Sequence, residues 1–240
     1  MATEQINKHC VFCHPDTTTN PHFKPFGKAD LAQVTLFRTD HIFVKPDLLP
    51  GRPDGLHFLM IPKPHQFSFA SLPHYQNEVG GLIHRIEKVF GHPFVFFEHG
   101  SAAEGGKNQS IYHQHGHLYG NPEEYAILAY MAEVLKRRGV YFKIFGNADK
   151  SPIANLTKLY RGHSYLYVQM GRFGLIAHDG TGGFPSQITQ KAMSRFYGQE
   201  VDWKTIPRES PIAIQHSEMA RLSVERIGRL IDHCQQVGVL

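Results

Sequence analysis

The run HQHGH at positions 113–117 holds three histidines at alternating positions. Residues 110–119 have the pattern of a β-strand, in which alternate side chains share a face, so the three imidazoles are expected on one side. Each ring has a donor and an acceptor that must find partners, which makes three of them costly as core filler. The spacing predicts a catalytic strand. The alternative is a surface strand in a chain that contains 17 histidines.

A glycine-rich segment, GGKNQS at positions 105–110, precedes these histidines. Glycine allows a backbone to approach a phosphate closely and to present its N–H groups. A histidine that is neutral at physiological pH can serve as the nucleophile beside such a loop, while donors stabilise the charge on the phosphate oxygens. The two motifs together predict phosphoryl chemistry.

Cys10 and Cys13 form a CxxC pair, and Cys234 is the third cysteine of the chain. Three cysteines cannot build a disulfide framework. Two thiolates at this spacing can bind one tetrahedral zinc ion. The letters CVFCH also match the c-type haem attachment motif, but such attachment occurs in exported proteins, and the first ten residues do not have the pattern of a secretory signal. Two unligated cysteines remain the third alternative.

The composition is that of an ordinary globular protein, with 41% hydrophobic and 19% charged residues. A net charge of +4 suits an anionic small molecule, and the chain has no basic tract of the kind that nucleic-acid binding requires. No apolar run has the length of a membrane span. We therefore expect a cytoplasmic protein with a nucleotide-sized partner rather than a nucleic acid or a membrane.

Strand patterns alternate with helix patterns along the whole chain. Strands are predicted within residues 33–45, 56–62, 94–97, 110–119, 140–146 and 164–179, and helices within 71–90, 121–138, 185–196 and 215–236. This order, with hairpins, indicates an α+β fold with an antiparallel sheet. The run NPEE at 121–124 is typical of a helix start. It favours a boundary between a domain of residues 1–121 and an extension of residues 122–240.

These motifs resemble the histidine-triad (HIT) superfamily, whose signature alternates histidines with apolar residues. The likeness covers roughly residues 8–120, including an acidic turn, an Asp-containing loop and a strand ending in Ile-Pro-Lys at 61–63, followed by His65. It implies a HIT-like antiparallel sheet with flanking helices and a C-terminal α+β extension. It further implies a nucleotide hydrolase that cleaves a dinucleoside polyphosphate or adenylyl conjugate at the α-phosphate. HIT proteins often form homodimers.

The resemblance also implies roles for individual residues. His115 matches the nucleophile that forms a covalent nucleotidyl-histidine, His117 matches the histidine that contacts the phosphate, and Ser110 matches a residue that assists the leaving group. The substrate-binding positions are Asp47 for the ribose hydroxyls, Asn108, Gln109, Glu98 and Gln187. Glu98 departs from the family, since a carboxylate there would repel phosphate unless protonated or paired, and a general acid with a raised pKa is one role for it.

In zinc-containing relatives, the ligands match Cys10, Cys13, His57 and His113. A filled Cys₂His₂ site has no open position for water, so the resemblance implies structural zinc.

The acceptor of the nucleotide stays open between two classes of enzyme. Gln114 and Gly116 depart from the apolar positions of the signature, and His-x-His-Gly is similar to the hexose-1-phosphate uridylyltransferases. Their third position is Gln, whereas His117 is typical of hydrolases and favours water. A nucleotidyltransferase or phosphorylase remains the first alternative. An RNA-linked binding module is the second, because residues 184–198 and 201–204 resemble the CwfJ-like group. Ser186 and Gln187 would lie near the start of a helix, a natural anion site, and the alternative is that Ser186 simply caps that helix.

Overall fold

The fold is described from a computed structural model of the chain. The described residues are 10, 12–13, 35–47, 52, 55–101, 113–120, 126–146, 153, 156–159, 163–178, 184–185, 187–198, 225, 228–229, 232–233 and 235–236.

A single antiparallel sheet organises these residues. Its eight strands are β1 (Phe37–Arg38), β2 (Ile42–Pro46), β3 (His57–Pro62), β4 (Phe94–Gly100), β5 (Gly116–Gly120), β6 (Phe142–Gly146), β7 (Tyr165–Met170) and β8 (Phe173–His178). Their order in the sheet is β1-β2-β3-β5-β4-β7-β8-β6, and every neighbouring pair is antiparallel. The helices are α1 (Gln76–Phe90), α2 (Ala126–Arg137), α3 (Leu156–Leu159) and α4 (Ile188–Phe196).

The two faces of the sheet carry different helices because strand side chains alternate. On one face, α1 packs Val79, Leu82 and Ile86 against the even-numbered residues Phe96 of β4 and Leu118 of β5. On the other face, α2 and α4 cover the odd-numbered Phe97 and Tyr119. We call these the α1 face and the α4 face. The predicted α+β class, an antiparallel sheet with flanking helices, is confirmed.

Local sequence signals account for several element ends. The helix α1 ends at Gly91, whose φ of 69° is the left-handed conformation that glycine adopts without strain. The predicted hairpin turn at Gly171, between β7 and β8, is also present and also has a positive φ, 53°. Most of the predicted helix at 215–236 lies outside the described residues.

Strands from both sides of residue 121 belong to the same sheet. β4, which precedes that residue, pairs with β7, which follows it, over the register Val95–Met170 to Gly100–Tyr165. The division into domains 1–121 and 122–240 stays a prediction, and its boundary interrupts no described strand. Within the described part of the chain, no helix has the length and apolar character required to span a bilayer.

Gly116 explains why a glycine interrupts the histidine run. It lies opposite Glu98 in β4, and the ring of Phe96 covers it from the α1 face. A Cβ at this position would collide with that ring, which is fully buried and cannot move aside. The departure from an apolar residue is therefore a packing requirement.

We expect Gly116→Ala to lower the free energy of unfolding by about 1–3 kcal/mol, because the added methyl group overpacks the sheet against Phe96. Denaturant unfolding of the full chain measures this change. Gly81→Ala is the matched control, since Gly81 lies in α1 and a methyl group added there would meet nothing within 4 Å. It is expected to raise the stability by about 0.5–1 kcal/mol, as alanine does in helices. Equal effects of the two substitutions would contradict the packing explanation.

Candidate active site and metal centre

The three histidines of the run 113–117 lie close together, although the strand begins only at Gly116. The ring of Phe12 makes edge contacts with His113 and His115, at 5.9 and 5.1 Å between centroids. The rings of His115 and His117 are 5.0 Å apart and nearly perpendicular. The predicted clustering is present, but the backbone leading into β5 places the first two rings, not strand alternation alone.

His115 has one ring nitrogen fixed by the backbone. Its Nδ1 lies 3.0 Å from the carbonyl oxygen of His113. A carbonyl only accepts, so Nδ1 carries the proton and Nε2 has a lone pair. Burial lowers the pKa of this imidazole, which favours the neutral ring. The arrangement leaves Nε2 of His115 as an unprotonated nitrogen on a neutral ring of defined tautomer.

His117 lies on the α4 face beside two other polar side chains. Its register partners are Leu59 of β3 and Phe97 of β4. Its Nδ1 is 2.9 Å from Nε2 of His57, and its Nε2 is 3.0 Å from the side-chain nitrogen of Gln190 in α4. Burial, and then the neighbouring histidines 115, 57 and 99, holds the pKa of His117 well below its usual range. A neutral, doubly hydrogen-bonded ring results.

Asp47 follows β2 and approaches the same pair of histidines. Its Oδ2 lies 3.5 Å from Nε2 of His57 and 3.9 Å from Nδ1 of His117, and its side chain is 18% exposed. The backbone N–H of Asp47 donates to the carbonyl of His57 at 2.9 Å, which continues the pairing of β2 with β3. A partly exposed carboxylate next to the histidines can accept hydrogen bonds from hydroxyl groups.

The two cysteines of the CxxC pair meet two histidines. Sγ of Cys10 is 3.4 Å from Nδ1 of His113, and Sγ of Cys13 is 3.5 Å from that nitrogen and 3.2 Å from Nδ1 of His65. A tetrahedral ion with bonds of about 2.3 Å to sulfur and 2.0–2.1 Å to nitrogen holds S and N ligands about 3.5 Å apart. All four ligand atoms lie within 4.8 Å of one another. The four residues therefore fit a tetrahedral metal ion.

The orientation of His113 supports this assignment. Its Nε2 lies 2.6 Å from the carbonyl oxygen of Pro62, at the end of β3, and must carry the proton. Nδ1 then has a lone pair directed at the sulfur atoms, and metal-binding histidines commonly have such a backbone partner. Burial lowers the pKa of His113 to about 4, so the ring is neutral, which is the form that binds metals.

The predicted ligand His57 does not belong to this cluster, and the structure has His65 in its place. His57 is the first residue of β3 and pairs with Tyr119, so its ring stacks on that tyrosine at 3.9 Å and bonds His117. His65 follows the other end of the same strand, where Pro62 meets His113. The length of β3 thus separates the two histidines, and only the second reaches the cysteines.

Glu98, which the resemblance places among the substrate-binding residues, has its carboxyl group hydrogen-bonded within the protein. Glu98 is an even-numbered residue of β4, opposite Gly116, so its carboxyl group lies on the α1 face and away from His117. Its Oε1 accepts from the backbone N–H of Phe69 at 2.6 Å, the side-chain amide of Gln114 at 2.8 Å and the hydroxyl of Tyr165 at 2.6 Å. Through its bond to Gln114, Glu98 holds the histidine segment from the α1 face.

Three residues near the histidines were not singled out in the sequence as part of the site. They are His65, Gln190 and His99, the last of which lies on the α4 face of β4 and lowers the pKa of His117. His65 had a signal, since it follows the Ile-Pro-Lys run; the others had none. Among the predicted residues, Gln187 is the N-terminal cap of α4, with a φ of 61°. Asn108, Gln109, Ser110 and Ser186 lie outside the described residues.

No protein-family model and no curated protein matches this chain. Among solved structures, the chain is similar to the yeast Ap4A phosphorylase Apa2 in complex with Ap4A, with 10% sequence identity and a TM-score of 0.41. The similarity covers 89% of this chain and 81% of that chain. Likeness at this level carries no argument about activity, which must follow from the geometry of the residues themselves.

The metal cluster generates a test between the two histidines. We expect His65→Gln to lower the metal content of the purified chain severalfold, because it removes one of four ligands, whereas His57→Gln leaves the content unchanged. Elemental analysis after dialysis measures both variants. The reverse pattern would return the ligand position to His57 and contradict the geometry.

Glu98 generates a prediction about pH. Burial raises the pKa of its carboxyl group from 4.5 to about 8, against the opposing hydrogen bonds from Tyr165 and Phe69. Between pH 4.5 and 8 the folded chain holds a proton that the unfolded chain releases. The contribution of this proton to the free energy of unfolding is therefore fully present at low pH and is lost as the pH rises towards 8. We expect the free energy of unfolding to fall by up to about 1.4 kcal/mol per pH unit between pH 6.5 and 8.

Glu98→Gln lacks the titrating group and should remove this part of the pH dependence, as measured by denaturant unfolding at each pH. Glu133→Gln, an exposed substitution on α2, is the control and should leave the slope unchanged. A wild-type slope that survives Glu98→Gln would show that Glu98 is ionised in the folded chain.

Proposed function

We propose that the chain is a histidine-triad nucleotide hydrolase in which His115 forms a covalent bond to the α-phosphorus of its substrate. The observation that carries this proposal is the 3.0 Å hydrogen bond from Nδ1 of His115 to the carbonyl of His113. It leaves Nε2 with an available lone pair and restricts rotation of the ring. A nucleophile of fixed tautomer and orientation is what covalent catalysis requires.

The proposed reaction has two displacement steps at phosphorus. In the first, Nε2 of His115 attacks the α-phosphorus, a P–N bond forms, and the P–O bond to the leaving group breaks. In the second, water attacks the same phosphorus, the P–N bond breaks, and a nucleoside monophosphate is released. Splitting one displacement into two lowers the barrier of each. Dinucleoside polyphosphates and adenylyl conjugates are the substrate classes that we propose.

His117 and Asp47 have supporting roles in this proposal. His117 is the proposed phosphate contact from the resemblance; its ring lies 5.0 Å from that of His115, and both of its nitrogens have side-chain partners in the protein. Asp47 is partly exposed next to His57, and its carboxylate can accept hydrogen bonds from the two ribose hydroxyls. Ser110, Gln109, Asn108 and Gln187 remain proposed substrate contacts from the resemblance.

We propose zinc as the metal of the Cys10–Cys13–His65–His113 cluster. Two thiolates and two imidazoles in tetrahedral arrangement are a donor set that zinc prefers. All four positions would be filled by protein, so the ion would stabilise the structure and would supply no bound water. It would connect residues 10–13 to the segment that carries His115, only two residues from the ligand His113.

The nucleophile is tested by trapping the intermediate. After brief mixing with a dinucleoside polyphosphate labelled at the α-phosphorus, alkaline quenching, which preserves a P–N bond, and peptide mapping should locate the label on His115. We expect His115→Asn to abolish the label and to lower kcat/KM by more than about a thousandfold, because the covalent route is lost. His84→Asn, on the exposed side of α1, is the control and should retain full activity.

Full activity of His115→Asn, or label on another residue, would contradict the mechanism.

The same reaction, run with and without an added acceptor, distinguishes a hydrolase from a transferase. A hydrolase forms a nucleoside monophosphate in water alone, whereas a phosphorylase or uridylyltransferase-like enzyme needs inorganic phosphate or a sugar phosphate to release the nucleotide. Salt-sensitive RNA binding without turnover of any nucleotide would instead favour the binding-module alternative.

A further inference from the structure

A residue from the second half of the chain hydrogen-bonds the third histidine of the triad. Gln190 lies in the first turn of α4, and its side-chain Nε2 is 3.0 Å from Nε2 of His117. The two residues are 73 positions apart in the sequence. His117 is only 5% exposed, so little water can replace this partner. Gln190 is therefore the hydrogen-bond partner of the Nε2 atom of His117.

The contact also determines where the proton of His117 resides. The amide nitrogen of Gln190 only donates, so the Nε2 atom of His117 accepts with its lone pair. The proton of the neutral ring is then on Nδ1, which donates across 2.9 Å to Nε2 of His57. The carboxylate of Asp47, which only accepts, lies 3.9 Å from the same Nδ1 and also favours a proton there. The amide of Gln190 thus fixes the tautomer of His117.

Helix α4 is well anchored above the site, so this contact is a fixed part of the fold. Its residues Ile188, Ala192 and Met193 are buried in the core of the α4 face. At its other end, the hydroxyl of Tyr197 donates to the carbonyl of Gly120 at 3.2 Å. The Arg52 guanidinium lies over the Tyr197 ring at 5.1 Å, which connects α4 to the segment that follows Asp47.

We propose that Gln190 is a positioning residue, which holds His117 as the Nδ1–H tautomer with its ring plane at 70° to that of His115. The consequence for catalysis rests on the proposed function. A neutral His117 with a fixed ring plane gives His115 a neighbour of constant orientation and dipole. A ring released by loss of Gln190 would be free to turn or to change tautomer. The later part of the chain would then complete the histidine site rather than extend it.

The tautomer can be read directly by long-range ¹H–¹⁵N NMR of the full, metal-loaded chain with ¹⁵N-labelled histidine. In the wild type, the His117 resonances should show a protonated Nδ1 and an unprotonated Nε2. Gln190→Glu replaces the amide donor by a carboxylate acceptor of the same size. It should reverse the tautomer, with the proton on Nε2, and so should reverse the bond to His57. A wild-type Nε2–H tautomer, or no change in Gln190→Glu, would overturn the proposal.

A kinetic comparison tests the consequence separately. Gln190→Glu and Gln190→Leu should each lower kcat by about 10–100-fold, the size of effect that partners of catalytic groups have, while KM changes much less. Arg195→Gln, an exposed change on the same helix, should alter neither kcat nor the tautomer. Unchanged kcat together with an altered tautomer would also overturn the positioning role.

The two readouts keep the failures distinct. If the wild-type chain turns over no nucleotide but the tautomer reverses in Gln190→Glu, the proposed function fails and the geometric role of Gln190 holds. If His115 is labelled and turnover is present, but Gln190→Glu and Gln190→Leu behave as wild type, the positioning role alone fails. Thermal unfolding of each variant shows whether it is folded. If Gln190→Glu does not fold, Gln190→Leu, whose side chain has a similar volume, replaces it in the kinetic comparison.

Discussion

The antiparallel register that places His117 between Leu59 and Phe97 is the constraint on which the site depends. Because strand side chains alternate, this register puts His57, His117 and His99 on the α4 face and Glu98 on the α1 face. A shift of one residue would exchange the two sets and would turn His117 into the α1 core. The register also needs a glycine at position 116, because the ring of Phe96 occupies the space that a Cβ atom would take.

Several polar side chains of this sheet are buried, among them His57, His117 and Glu98, and these three have hydrogen-bond partners. Desolvation lowers the pKa of the histidines and raises that of Glu98, so both kinds of group lose their charge near neutral pH. Burying an isolated charge would cost far more than burying a neutral ring with partners. The loss of charge on burial therefore reduces the cost of folding, and it leaves the imidazoles neutral, which is the form that can act as a nucleophile or a metal ligand.

The cysteine–histidine cluster and helix α4 hold the histidine segment from opposite ends. At the start of the segment, His113 meets Cys10, Cys13 and His65, and its Nε2 donates to Pro62. At the end, His117 meets Gln190. His115 lies between these two fixed points, with its own Nδ1 held by the backbone. These two anchors restrict His115 more than either contact alone, because each constrains different torsion angles.

Local spacing in the sequence was sufficient for several features. The closeness of the three histidines within HQHGH indicated clustered imidazoles, the CxxC pair indicated two sulfur atoms that can share one metal ion, and the helix and hairpin patterns predicted α1, β7 and β8. Each depends on residues close in the chain, where the periods of helix and strand and the preferences of glycine act directly. The fold class follows from the order of such patterns.

Tertiary structure alone decided which distant residues complete the site. His57 begins β3 and His65 follows the end of the same strand. Only the packing of that second end brings His65 to the cysteines, 52 positions from Cys13. The face of Glu98 depends on a register between strands, and the meeting of Gln190 with His117 depends on how α4 packs on the sheet. Strand register and helix packing are set by the sum of many weak contacts across the core, so they cannot be predicted from the spacing of residues along the sequence.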